Sequence, residues 1–236
     1  MRIGFDLDGV LADLHGVFAR KARALFPELE SSALESQDAA SSPPGEDDDA
    51  PSEDVPDPRP LPQLTAQQSR AVWKELCRTE NFWESLDEIE RGAIARLHAV
   101  AIERRWEIIF LTSRPHAPGH TVQRQSQRWL ERHGFSLPSL FVVQQARGRI
   151  ADSLQLDVVI DDRPEGCLDV VLESKARGIL VWRGDMARVP GSAKRLGIGV
   201  VPTVAACLDV LVEADRSESS DGLVSRLKRL LGLQSR

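Results

Sequence analysis

The sequence predicts an α/β protein, with about five parallel strands in one sheet and helices on both of its faces. Apolar runs of strand length alternate with helical patterns along most of the chain, as they do in proteins of this class. Three of these runs end directly in Asp, Thr or Ser. Because the carboxyl ends of parallel strands lie at one edge of a sheet, where ligands bind in open α/β folds, we expect a functional site at that edge.

The individual elements follow from the pattern in chain order. Strands are predicted at 2–7, 107–112, 140–143, 157–161 and 178–182. Helical runs around Gly92–Arg104 and Thr121–His133 flank the second strand. A smaller group of helices is expected between the first and second strands.

The first strand runs into two carboxylates separated by a single residue, Asp6 and Asp8, and Gly9 follows them. Aspartate pairs are common in solvated turns, but a buried strand precedes this one. One carboxylate can attack a phosphate ester, while the other donates a proton to the leaving group and later activates water. Hydrolysis of a phosphate ester through an acyl-phosphate requires this division of roles.

Two later strands carry the other groups that such chemistry needs. The second strand runs into Thr112 and Ser113, which could begin a turn or donate hydroxyl hydrogen bonds to phosphate oxygens. The fourth strand runs into Asp161 and Asp162. These carboxylates could cap the helix that Pro164 begins or supply oxygen ligands to a hard divalent cation, and the two roles can coexist.

In order and wording, these segments resemble the haloacid dehalogenase (HAD) superfamily of phosphohydrolases, and within it the 5'(3')-deoxyribonucleotidase-like branch. The segments that carry the resemblance are Phe5–Val10, Leu111–Pro115 and Ile160–Glu165, with Asn81–Leu86 and Gly92–Ala93 resembling the junction between cap and core. The resemblance implies a HAD-like Rossmannoid three-layer sandwich, with a small helical cap inserted after the first strand.

The resemblance also implies a role for each acidic residue. Asp6 would be the nucleophile that forms an aspartyl-phosphate, and Asp8 would be the general acid and then the base. Mg²⁺ would be held by Asp6, the backbone carbonyl of Asp8 and Asp161. Asp162 would bind water of the outer coordination sphere or orient its neighbours.

One departure from the family pattern concerns the phosphate site. Family members usually place a lysine before the final Asp pair, where it bridges nucleophile and phosphate, but this chain has no lysine between Lys74 and Lys175. We predict Arg149 as the replacement and Arg147 as the second choice. Arginine keeps the charge and can bind phosphate through two nitrogens, but it is longer and planar.

The aromatic pair Phe82 and Trp83 is a further candidate for the substrate pocket. By resemblance, these rings could stack on a nucleobase beneath the cap. Aromatic residues at such a junction are more often part of the hydrophobic core, and this alternative stays open.

The predicted organisation is a core formed by 1–13 and 91–212, a helical cap at 14–90, and a segment at 213–236 with a polar linker and a basic amphipathic helix. From 31 to 62 the cap is interrupted by an acidic, Pro-rich stretch. Such a stretch cannot bury enough apolar area to offset its ordering entropy, so we predict a disordered loop there.

The net charge of −6 hides an uneven distribution of charge. Between Glu28 and Pro58 there are eleven acidic residues and no basic one, which leaves 25 acidic against 30 basic residues in the rest of the chain. A body of about +5 suits an anionic substrate. We therefore expect a small phosphorylated metabolite as partner, with no nucleic acid and no integral membrane, and we leave a homodimer open.

The leading hypothesis is a cytoplasmic, Mg²⁺-dependent phosphomonoesterase for a (deoxy)nucleoside monophosphate or a similar small phosphate ester. Three distant cysteines favour a reducing compartment, and a strand at the N-terminus leaves no room for a signal peptide. One alternative is a phosphatase for a sugar phosphate or another metabolite. The other is a catalytically weakened phosphate-binding or interaction protein, in which the arginine replacement has slowed turnover.

Overall fold

The computed structural model describes residues 1–27, 64–143 and 146–216. Its strands, in chain order, are β1 Arg2–Asp6, β2 Glu107–Thr112, β3 Ser139–Val142, β4 Val158–Asp161, β5 Arg177–Val181 and β6 Gly199–Val201. They form one parallel sheet with the order β3-β2-β1-β4-β5-β6. The predicted fold class is confirmed, and the short β6 adds a sixth strand to the five that the sequence predicts.

Helices cover both faces of this sheet. Those of the described residues are α1 Leu14–Leu25, α2 Ala66–Leu76, α3 Ala93–Arg104, α4 Val122–Arg132, α5 Arg147–Ser153, α6 Pro164–Glu173, α7 Gly191–Arg195 and α8 Val204–Arg216, with short 3₁₀ turns at Phe82–Glu84 and Met186–Arg188. Helices α3, α4 and α8 contribute to the hydrophobic core on one face, whereas α5 and α6 pack against the other.

Burial on both faces explains why the strands read as continuous apolar runs. In β2, Phe110 belongs to the same core cluster as Trp129 of α4, whereas the next residue, Leu111, packs with Val170 of α6. Both β2 side chains are fully buried. A strand with a helix layer on each side has no solvent face, so it needs no alternation of apolar and polar residues.

The strand order places a topological switch point next to β1. From β1 the chain moves outward through β2 to β3, and it then returns to the other side of β1 with β4. The register pairs Phe5 with Phe110 on one side and with Ile160 on the other. In open α/β sheets, ligands bind outside the carboxyl ends of the strands at such a point.

The first two helices lie together after β1. The rings of Phe18 in α1 and Trp73 in α2 are 5.4 Å apart between centroids, and Val72 and Leu76 of α2 join the core cluster. Helix α2 begins with a capping box, in which Thr65 and Gln68 each accept a hydrogen bond from the other's backbone N–H. That this pair acts as a substrate-covering cap stays a prediction, as do the domain boundaries given above.

Two predicted features lie outside the described residues. These are the acidic loop at 31–62 and the basic amphipathic helix of the C-terminal segment beyond Arg216. None of the described helices has both the length and the apolar character that crossing a membrane requires.

A partly buried ion pair between Arg183 and Glu90 stabilises the turn that follows β1. The Arg183 guanidinium donates to the carbonyls of Gly9 at 2.6 Å and Val10 at 2.9 Å, and to the Glu90 carboxylate at 2.7 Å. The two Glu90 oxygens also accept from the backbone N–H groups of Val204 at 2.8 Å and Ala205 at 3.0 Å. Glu90 therefore ties the N-terminus of α8 to the turn after β1.

Replacing Glu90 should lower stability, because it removes the carboxylate partner of Arg183 and the acceptor of two helix N–H groups. We expect Glu90→Ala to reduce the free energy of unfolding by about 3 kcal/mol, measured by urea denaturation. The matched control is Glu103→Ala, since the Glu103 side chain is 68% exposed. The control should change the free energy by less than about 0.5 kcal/mol, and equal effects of the two variants would contradict the role assigned to Glu90.

Candidate active site

The polar residues predicted to converge do so at the β1/β4 switch point. Asp6 is the last residue of β1, and Asp161 is the last residue of β4, with Asp162 directly after it. These strands are hydrogen-bonded neighbours, although their ends are far apart in sequence. The site therefore exists because the sheet places two separate acidic motifs side by side.

Three of the four predicted carboxylates form a compact cluster. One carboxylate oxygen from each of Asp6, Asp161 and Asp162 lies within 4.8 Å of the other two. The side chains of Asp6 and Asp161 are buried, and that of Asp162 is 11% exposed. Several carboxylate oxygens in so small a volume are the donor set that a hard divalent cation prefers.

Arg147 is the cation of this cluster. Its Nη2 is hydrogen-bonded to Asp6 Oδ1, and its Nε lies 3.5 Å from Asp161 Oδ2. The side chain is 6% exposed. The Arg147 guanidinium thus contacts both Asp6 and Asp161. That it replaces the lysine of the family pattern stays a prediction.

The prediction that Arg149 takes this place is corrected by the structure. The Arg149 side chain is 75% exposed, and its Nε lies 3.7 Å from Glu173 at the surface. Both arginines are in α5, which begins at Arg147. Because successive helical residues are rotated by about 100°, residues two apart face nearly opposite directions, and only the first of these arginines faces the sheet edge.

The electrostatics of the cluster are dominated by burial and like charge. Burial raises the pKa of the Asp6 carboxyl well above its usual range, Asp161 raises it further, and Arg147 lowers it in part. Burial also raises the pKa of Asp161, against the opposing effect of Arg147. For Asp162, burial and then the charge of Asp161 raise the pKa to about 6. Arg147 and the more exposed Arg163 and His15 thus compensate only part of the negative charge.

Unpaired polar atoms support a cation and an anion at this site. Among the described residues, Asp161 Oδ2, Asp162 Oδ1 and Arg147 Nη1 are buried side-chain atoms without a hydrogen-bond partner. Buried polar atoms are normally hydrogen-bonded, so a group of unpaired ones indicates a binding site for a ligand. Two carboxylate oxygens fit a divalent cation, and a guanidinium N–H fits a phosphate oxygen, so the residues present match the predicted Mg²⁺ and phosphate.

Two glycines make room for the carboxylates. Gly9 has a φ of +83°, which favours glycine, and a Cβ atom there would stand 2.0 Å from Asp162 Oδ2. A Cβ atom at Gly166, in the first turn of α6, would stand 2.3 Å from Asp161 Oδ2. Any larger residue at either position would displace a carboxylate of the cluster.

Asp8 lies beside the cluster and has its own partner. Arg114 donates to one Asp8 oxygen through Nη2 at 2.7 Å and Nε at 3.1 Å, and Nε also lies 3.0 Å from the other oxygen. Thr112 Oγ1 donates to that second oxygen at 3.3 Å. The structure thus pairs Thr112 with Asp8, while Ser113 is exposed at the end of β2. Their predicted contact with phosphate stays a prediction, as does the Asp8 backbone carbonyl as a metal ligand.

Sequence reasoning missed Arg114. It is 2% exposed, and its Nη1 donates to Ser126 Oγ at 2.9 Å. The only signal was its place directly after Thr112 and Ser113, at the predicted site edge. An arginine at a strand end is normally solvated, so the pattern did not indicate a buried ion pair.

Of the two alternatives for Phe82 and Trp83, the structure favours the hydrophobic core over a place in the substrate pocket. Phe82 is 3% exposed and Trp83 is fully buried, and their rings contact each other with centroids 4.8 Å apart. Trp83 Nε1 donates to the carbonyl of Pro115 at 3.0 Å, and its backbone N–H donates to Gln125. Both aromatic residues are part of the core, because the 3₁₀ turn that carries them packs on α4.

An opening lies beside the acidic cluster and reaches it at Asp162. A cavity of about 410 Å³ separates α1 from the loop after β5. The residues that line it are Gly9, Asp13, His15, Gly16, Ala19, Arg20, Arg23, Ile89, Asp162, Val181, Trp182, Arg183 and Gly184. It combines an indole ring with several cationic side chains, next to the carboxylates.

The raised pKa of Asp162 predicts a pH-dependent stability in the metal-free protein. The folded state holds the proton more tightly than the unfolded chain, whose Asp has a pKa of about 4. The resulting stabilisation is complete below about pH 4 and is lost as the pH rises through about 6. Wild type loses this stabilisation and Asp162→Asn does not, so the melting temperature of the variant in a chelator should rise relative to that of wild type between about pH 4 and pH 6.

The control for this measurement is Asp152→Asn, because Asp152 is exposed on α5. That variant should keep the wild-type pH profile. A constant difference between the profiles of Asp162→Asn and wild type would contradict the assigned cause.

Comparison with known proteins finds relatives of the kind that the sequence motifs resemble. No family model matches the chain. A curated relative, the mitochondrial 5'(3')-deoxyribonucleotidase of Mus musculus, is 28% identical over 167 residues, which make up 70% of this chain and 66% of the mouse protein. The match thus spans just under two thirds of the length of that relative.

Solved structures with the same architecture are more distant in sequence. A HAD family hydrolase from Deinococcus radiodurans R1, solved with bound phosphate and sodium, has a TM-score of 0.51 and 14% identity, with 91% of this chain and 95% of that chain covered. A haloacid dehalogenase-like family hydrolase from Xanthomonas campestris has a TM-score of 0.48 and 14% identity, with 98% and 93% covered. The similarity to the Deinococcus structure shows that this chain has the same α/β fold as that hydrolase, in agreement with the HAD-like fold that the sequence predicts.

Proposed function

We propose that the protein is a Mg²⁺-dependent phosphomonoesterase that works through an aspartyl-phosphate, with a (deoxy)nucleoside monophosphate or a similar small ester as substrate. The observation that carries the proposal is the buried Asp6 carboxylate, which is paired with Arg147 inside an acidic cluster at the switch point. The mouse relative, a deoxyribonucleotidase, supports the substrate class. The phosphate bound to the Deinococcus hydrolase is consistent with phosphate chemistry on this fold.

In the first step, a carboxylate oxygen of Asp6 attacks the phosphorus atom of the ester. The bond between phosphorus and the ester oxygen breaks, and that oxygen takes a proton from Asp8, so the alcohol leaves and Asp6 becomes an acyl-phosphate. Arg147 lies on Asp6 with one N–H group unpaired. It can therefore bind a phosphate oxygen while it stays in contact with the nucleophile.

In the second step, Asp8 works in the opposite direction. Its carboxylate takes a proton from a water molecule whose oxygen attacks phosphorus, and the bond between phosphorus and Asp6 breaks. Inorganic phosphate leaves, Asp6 returns as a carboxylate, and Asp8 is again protonated. Both steps need the Asp8 carboxylate near the ester oxygen or the water. Neither step needs that carboxylate to belong to the acidic cluster of Asp6, Asp161 and Asp162.

The cation would be held by the carboxylates of Asp6 and Asp161 and by the backbone carbonyl of Asp8, with Asp162 beside them. When bound, Mg²⁺ would reduce the electrostatic repulsion between the carboxylate nucleophile and the phosphate dianion. The charge excess of the cluster and its unpaired oxygens are the features of this chain that suit such an ion.

The leaving group would occupy the cavity between α1 and the loop after β5, which reaches the acidic cluster at Asp162. Its volume of about 410 Å³ is within the range of small-molecule sites. The partly buried Trp182 lines it and is the aromatic surface available there for a flat group, in place of Phe82 and Trp83. Arg20 and Arg23 of α1 would face polar or anionic parts of the substrate.

The test of this function is the release of inorganic phosphate from nucleoside, deoxynucleoside and sugar monophosphates, with and without Mg²⁺. We expect release that requires Mg²⁺ and that falls to background in Asp6→Asn, because an amide cannot form the acyl-phosphate. Asp152→Asn is the matched control, since it makes the same change on the surface. Folded protein that releases phosphate from none of these esters, or an active Asp6→Asn variant, would overturn the proposal.

The two arginines of α5 give a second test of the site. Arg147→Gln should lower kcat/KM by about 100-fold, because it removes a preorganised donor to the reacting phosphate. Arg149→Gln should stay within about twofold of wild type, since its side chain is solvated. A larger loss in Arg149→Gln than in Arg147→Gln would contradict the assignment, with circular dichroism used to check that both variants fold.

A further inference from the structure

Arg114 is held in place by two tryptophan rings and a serine hydroxyl. The guanidinium carbon lies 4.9 Å from the ring centroid of Trp83 and 5.7 Å from that of Trp129, so two indoles flank it. Its Nη1 donates to Ser126 Oγ at 2.9 Å. Cation–π contacts of this kind are strongest when the cation is desolvated, and the Arg114 side chain is fully buried.

The two indoles are themselves anchored to the chain around the 3₁₀ turn. Trp83 Nε1 donates to the carbonyl of Pro115, and Trp129 Nε1 donates to that of Leu86 at 2.6 Å. Both Trp side chains are fully buried. The guanidinium of Arg114 therefore has one position, fixed by the β2 end, α4 and the segment that joins α2 to α3.

From that position, Nε and Nη2 of Arg114 donate to the Asp8 carboxylate. Together with Thr112, they supply the hydrogen bonds that the Asp8 carboxylate receives from the described residues. Asp8 is consequently kept out of the group formed by Asp6, Asp161 and Asp162. Two aspartates separated by a single residue are thus directed to different cations.

A purely structural ion pair is a poor explanation for this arrangement. Taking a guanidinium and a carboxylate out of water costs about as much as their attraction returns, so apolar residues of similar volume would serve stability as well. A paired, planar guanidinium does, however, fix the orientation of a carboxylate through two nitrogens.

We propose that Arg114 is a positioning residue, which holds the Asp8 carboxylate where it can exchange a proton with the leaving group and with water, and that Trp83 and Trp129 act through it. This inference rests on the proposed phosphomonoesterase function. It gives Trp83 a part in the reaction without contact with the substrate. Arg114 itself is not a catalytic residue, because it touches Asp8 and not the reacting atoms.

The test separates the two steps of the reaction with p-nitrophenyl phosphate, whose leaving group departs without a proton. In Arg114→Gln, Asp6 can still attack, so rapid mixing should show a burst of p-nitrophenolate close to one per active site. Turnover after the burst should fall by about 100-fold, because hydrolysis of the acyl-phosphate needs Asp8 as base. With an alkyl phosphate, the same variant should lose activity without a burst, since the first step then needs the proton of Asp8.

Two further variants complete this experiment. Arg114→Lys keeps the charge but makes a single-point contact, and it should recover part of the turnover lost in Arg114→Gln. Arg132→Gln is the matched control, because Arg132 donates to the Glu84 carbonyl of the same segment at 2.6 Å without touching Asp8. It should keep wild-type kinetics with both substrates.

Loss of burst and turnover in equal proportion with both substrates would show only structural damage and would overturn the proposal. A crystal structure of Arg114→Gln gives an answer that does not depend on activity. We expect the Asp8 carboxylate to leave its wild-type position, while Asp6, Arg147 and Asp161 keep theirs. An unmoved Asp8 would overturn the positioning role even if no phosphatase activity were found, and a displaced Asp8 in a protein without activity would refute the function alone.

Discussion

The packing of three carboxylates against a single buried arginine is the constraint on which this site depends. Asp6, Asp161 and Asp162 carry more negative charge than Arg147 can neutralise, and burial removes the water that would otherwise screen it. Such an excess is costly in an isolated protein, and a bound divalent cation relieves it. The local sequence accommodates the cluster with glycine where a Cβ atom would meet a carboxylate oxygen.

The sheet topology creates this constraint and the surrounding contacts preserve it. The order β3-β2-β1-β4-β5-β6 makes β1 and β4 neighbours, so their carboxyl ends are forced to share one volume. The turn after β1 has little freedom, because Arg183 holds two of its carbonyls and Glu90 ties Arg183 to the start of α8. Elements on both sides of the switch point thus support the position of Asp6.

Two arginines divide the site into two electrostatic environments. Arg147 lies within the acidic cluster with Asp6, whereas Arg114 lies between two indoles and holds Asp8. In the proposed reaction, Asp6 attacks phosphorus and Asp8 donates and accepts protons. Acid–base enzymes achieve such a division by giving two carboxyl groups different surroundings, and here the difference comes from separate cations contributed by separate elements.

The sequence by itself determined the fold class, five of the six strands and the convergence of Asp6, Asp161 and Asp162, because apolar strand length and the residue type at a strand's end are local properties. Only the tertiary structure decided which α5 arginine enters the site, since residues two apart on a helix face different ways and packing selects one. It also decided that Arg114 pairs with Asp8, 106 residues away, and that Phe82 and Trp83 are buried. Burial of a charge or an aromatic ring depends on partners that are remote in sequence, and a local pattern cannot report them.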